Sequence, residues 1–119
     1  MTLRPPKSYL RTTQIAALDY EIAQEQASAL GRLGRALESA LSALADHDRI
    51  LSFSSGTPAR PAAGRTQAVR AKLVQDASEA LWCFMVQREA CGLRDPRPIL
   101  REYRVPAEVY GRVGILVQR

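Results

Sequence analysis

The chain has one histidine, two cysteines and few aromatic residues, 6% of its 119 positions. A structural zinc site draws on four clustered Cys or His ligands, and Cys83, Cys91 and the lone His47 do not supply them. The two cysteines are eight positions apart on what reads as one helix, which is about 12 Å along its axis. A disulfide spans roughly 7 Å at most between Cα atoms, so both are expected as reduced packing residues. No apolar run approaches the ~18 residues of a membrane span. The start, MTLRPPKSYLR, lacks the apolar segment and cleavage site of a secretory signal, so a cytoplasmic location is expected. Dense basic runs are missing too. The net charge of +5 comes almost wholly from scattered Arg, which permits an acidic partner without forming a basic tail.

Catalytic constellations are equally scarce. Glu21 and Glu25 are one helical turn apart, but a di-metal bundle needs a matching Glu-x-x-His, and none exists. Ser54-Ser55-Gly56-Thr57 lacks the Lys-Ser/Thr pair and the preceding strand of a phosphate-binding loop. Gln87-Arg88-Glu89 places polar groups on an otherwise apolar helix, where Arg88 is expected to pair with an acid of the first helix or, as the alternative, to contact a ligand. The sequence thus indicates a protein that is not an enzyme and uses no cofactor and no metal.

What is present is an apolar centre and helical periodicity. Ala80–Asp95, ALWCFMVQREACGLRD, holds the only Trp, both Cys and one of the two Phe. At 100° per residue Leu81, Phe84 and Arg88 share a stripe, and Trp82, Met85, Val86 and Ala90 fill the neighbouring face. Such a helix needs partners on two sides, and Trp82 is expected in the core. Gly92 ends it, and Asp95-Pro96 reads as the cap and first residue of the next helix.

From Gln14 to about His47 the apolar positions Ile15, Leu18, Ile22, Leu30, Leu33, Leu37, Leu41 and Leu44 recur at helical spacing without a Pro, Gln26 filling one place. A helix of that length is about 50 Å long, more than one shorter partner can cover. Residues 1–11 read as an extended basic arm and Thr12 or Thr13 as the cap. His47 is expected at the helix end, and Ile50, Leu51 and Phe53 folded back on it. Residues 52–65, rich in Ser, Gly, Pro and Ala, read as a flexible loop. A second helix is expected over Thr66–Cys91, with Val69, Leu73 and Ala77 as its first stripe and Arg70 among its solvated residues. Two short helices follow, over Pro96–Tyr103 and Pro106–Val113.

The reading is a single all-α domain over 1–119: a long antiparallel helical hairpin closed by two short C-terminal helices and assembled as a dimer. Small residues at helical spacing, Ala23, Ala27, Gly31 and Gly34, mark a close approach. Gly inside a helix costs about 1 kcal/mol relative to Ala and so points to packing. The approach is either to the second helix or to a second subunit.

Two resemblances bear on function. RPPKSYLR, ALDYEIAQEQASALGRLGRALE, ALWCFMVQREACGLRD and REYRVPAEVYGRVG together resemble a family of small bacterial proteins without an assigned function. That resemblance implies an all-helical fold and brings no catalytic residue. Leu100–Val109 is similar to the turn of a helix-turn-helix, although Leu100 stands where Ala is usual and Arg104 where Gly permits the tight turn. The expected role is a homo-oligomeric interaction or scaffold module. The alternative is nucleic-acid binding with Arg101, Arg104 and Arg112 in contact, followed by a small-molecule binder.

Overall fold

In the computed structural model the described residues are 7–54 and 60–117, with side chains described for 11–53 and 64–113. They form α1 (Lys7–Ser54), α2 (Arg60–Ala90), α3 (Arg97–Glu102) and α4 (Ala107–Val117), and no strand occurs among them. The protein is all-α, with two long helices followed by two short ones.

Both long helices exceed their expected bounds. The basic arm expected over 1–11 is helical from Lys7, because no Pro or Gly interrupts the chain after Pro6 and prolines are tolerated where a helix begins. Residues 1–6 lie outside the described residues. Thr12 and Thr13 are therefore interior, not capping, and His47 stands two turns before the end of α1. Ile50 and Phe53 do not fold back; they are helical and exposed. Of the loop expected over 52–65, residues 52–54 belong to α1 and 60–65 to α2, and 55–59 lie outside the described residues. Helix α2 begins as early as Arg60 because Pro61 falls in its first turn, where a missing N–H forfeits no hydrogen bond. Ala62 and Ala63 then favour helix.

Helices α1 and α2 pass each other in opposite directions. Gly34 lies against Phe84, and Asp48 against Arg70. Both contacts fit one register, in which Ala90, the last residue of α2, stands opposite about residue 28 of α1. Around this overlap lies the core: Leu37 and Leu44 of α1, Val74, Ala77, Leu81 and Phe84 of α2, Ile99 of α3, and Val109 and Val113 of α4. The buried stripe of α2 starts at Val74 instead of Val69, which is exposed.

The link after α2 follows its sequence closely. Gly92 takes φ 87°, with Leu93 N–H donating to the Arg88 carbonyl at 2.8 Å and Gly92 N–H to that of Glu89 at 2.9 Å. These bonds close the carbonyls of the last turn, and Gly bears the left-handed conformation without a Cβ clash. Pro96 stands at the N-cap of α3, one position later than expected, while Asp95 Oδ1 accepts the Arg97 N–H at 3.1 Å. Ser78, fully buried, shares its hydroxyl proton between the carbonyls of Val74 (2.8 Å) and Val109 (3.1 Å), which ties α4 to α2.

Two expectations about the apolar centre fail. Trp82 is 40% exposed, because Leu81 and Phe84 already occupy the face of α2 turned to α1, and the short α4 brings Val113 to the groove beside Trp82 without enclosing the indole. Cys83 is exposed and Cys91 half-buried, so Cys83 is not a packing residue.

Candidate interaction surface

Beyond the end of α2, α1 continues for about 30 Å with no other helix of the described residues against it. Every residue from Arg11 to Glu25 is exposed, including Ile15 at 53%, Leu18 at 56% and Ile22 at 48%. At 100° per residue these three lie in the same sector as Leu33, Leu37 and Leu44. The stripe that α2 covers in the compact part therefore runs on uncovered. An isolated helix of this length is marginal in water unless its apolar face is packed.

The four small residues divide. Ala23 and Ala27 are exposed. At Gly31 an added Cβ would meet only the Arg35 Nη1 atom, at 3.4 Å. Gly34 is buried, and a Cβ there would stand 2.9 Å from the Tyr103 hydroxyl and 3.2 Å from Phe84 Cε2. Gly34 is thus not an oligomer contact. It admits the Phe84–Tyr103 pair, whose rings meet edge to face with centroids 5.7 Å apart.

Arg101, Arg104 and Arg112 are all exposed. Arg104 adopts φ 51°, the left-handed conformation that the resembled motif gives to Gly. Arg88 does not reach an acid of α1; its Nη2 donates to the Asp95 carbonyl at 3.2 Å and steadies the link.

Sequence reading missed two features. The first is an ion cluster joining three helices: Arg70 Nε donates to Asp48 Oδ1 at 2.8 Å, and Arg70 Nη1 to Glu108 Oε2 at 2.8 Å. Hydrogen bonds from Arg70 hold both carboxyls below their ordinary range, and the two acids in turn raise the guanidinium. The Nδ1 atom of His47, buried beside it, has no hydrogen-bond partner and lies 3.8 Å from Asp48 Oδ1. The second feature is a groove of about 370 Å³ lined by Trp82, Met85, Val86, Leu93, Pro96 and Val113, with Trp82, Val86 and Leu93 exposed. Among the described residues no group of three His, Cys, Asp or Glu is placed to hold a metal ion, and no helix is long and apolar enough to cross a membrane.

No protein family, no curated protein and no solved structure matches the chain. Its function is therefore argued from its own residues.

Proposed function

We propose that the protein is a non-enzymatic self-association module: a helical hairpin whose bare α1 extension binds the same extension of a second copy, giving a homodimer. The observation that supports this is the exposure of Ile15, Leu18 and Ile22 on the continuation of the core stripe. A second copy fits because it offers the same stripe at the same length, and because basic Arg11 and acidic Glu21 and Glu25 lie at opposite ends of it.

The energetics set the working range. Covering six half-exposed branched side chains gains about 1 kcal/mol each, offset in part by lost rigid-body freedom. Before that offset the sum corresponds to a Kd of roughly 40 μM, so association is weak, at high micromolar to millimolar concentration. Light scattering should show a dimer mass that rises with concentration, and Leu18→Glu should leave a monomer whose compact part melts unchanged. A wild-type monomer at about 1 mM, or a Leu18→Glu dimer of undiminished affinity, would reject the proposal.

A second reading, nucleic-acid binding through the α3–α4 turn, is favoured by the left-handed Arg104 with Arg101 and Arg112 exposed nearby. Against it stand a six-residue α3 and the acidic Glu108 in the first turn of α4. This reading requires duplex binding that weakens steeply with salt.

A further inference from the structure

Resting on the self-association reading, we infer that the two copies pair antiparallel about Leu18, so that the assembly is a rod with one compact head at each end. The bare stripe reads Arg11, Ile15, Leu18, Ile22, Glu25, spaced four, three, four and three. It is apolar in the middle, basic at one end and acidic at the other. A parallel pair sets Arg11 against Arg11 and Glu25 against Glu25 along a partly dehydrated seam. An antiparallel pair sets Arg11 of each copy beside Glu21 and Glu25 of the other, and two-fold symmetry does this twice. In the single copy Glu25 has one exposed contact, 3.4 Å from Arg32, a surface pair weak enough to yield.

Lengths support the same arrangement. Helix α1 begins at Lys7 and α2 ends opposite about residue 28, which puts Leu18 at the midpoint of the bare stretch. Centred there, the start of each α1 meets the end of the other copy's α2. The stripe is then covered over its full length, and the heads stand apart. A parallel pair would instead crowd both heads at one end. The consequence is a spacer that presents two identical Trp82 grooves, one at the inner end of each head, suited to holding two like partners at a set distance.

Small-angle scattering of the unmodified protein tests the orientation. The largest dimension should be roughly 140 Å, about one and a half times the 89 Å of one copy, because the overlap removes about 34 Å. Dissociation constants of Arg11→Glu and Glu25→Arg should each rise about ten-fold at low salt, and the double variant should recover most of the loss. A dimer with a largest dimension near that of one copy, and indifferent to either charge reversal, would overturn the antiparallel inference while leaving self-association intact. A chain that stays monomeric at every concentration would remove both.

Discussion

The two halves of α1 carry the same pattern and meet different fates. From Leu33 to Leu44 its stripe is sealed by α2, whereas from Ile15 to Ile22 the same stripe faces water. The difference teaches that periodicity records the need for a cover without saying which molecule provides it. In the covered half the cover comes from the same chain, so burial is independent of concentration. In the bare half no cover comes from the described residues, and under the proposed self-association stability there is tied to mass action.

The largest effect that separates the halves should come from matched truncations. Leu81 is fully buried in the core, and Leu81→Ala should destabilise the fold by about 2–5 kcal/mol through lost transfer energy and a residual cavity. Leu18→Ala should leave the melting temperature of a dilute sample unchanged and weaken only association. Thermal melts by circular dichroism, repeated at low and high concentration, check both. Equal losses in dilute solution would erase the distinction between the halves.

Much of the fold was legible because it rests on local rules. The 3.6-residue period and Gly92 as a terminator appear where their chemistry demands, and the start signalled by Asp95-Pro96 falls one position later. Helix ends next to Pro6 and Pro61 were misjudged, since proline signals both a break and a beginning. The face of α2 was harder to read. Leu81, Trp82, Phe84, Met85 and Val86 surround the helix, and hydrophobicity alone does not say that Trp82 is left at the rim. The Arg70 cluster was hidden for another reason: Asp48, Arg70 and Glu108 come together through the tertiary arrangement of three helices, which no spacing along the chain encodes.

A smaller effect should sharpen the contrast within the glycines. Gly34→Leu forces side-chain atoms into the space held by Phe84 and Tyr103 and should cost about 1–3 kcal/mol. Gly31→Ala meets little beyond the mobile end of Arg35, and should stabilise α1 by about 0.5–1 kcal/mol through its lower backbone entropy. Denaturant midpoints at unchanged slope measure both. If Gly31→Ala also lowered the dimer affinity, the partner helix would be shown to pass over Gly31 instead of along the Leu18 side.

The smallest effect concerns the cluster that joins the helices of the covered half. Hydrogen bonds from Arg70 depress Asp48 and Glu108, so the unfolded chain binds protons at higher pH than the folded one. The stability they contribute is therefore complete above the ordinary carboxylate range, and it is lost as pH falls through their folded values. Both carboxylates are nearly half exposed, at 44% and 45%. Solvent screening thus limits the whole cluster to under about 1 kcal/mol. Arg70→Met, which keeps the stem, should flatten the acid limb of the stability–pH curve and leave the bare end of α1 untouched, since none of the three residues lies there. An acid limb that keeps its slope in this variant would assign the pH dependence to other carboxylates. A loss of dimer affinity in it would show that the covered half shapes the bare one through the length of α1.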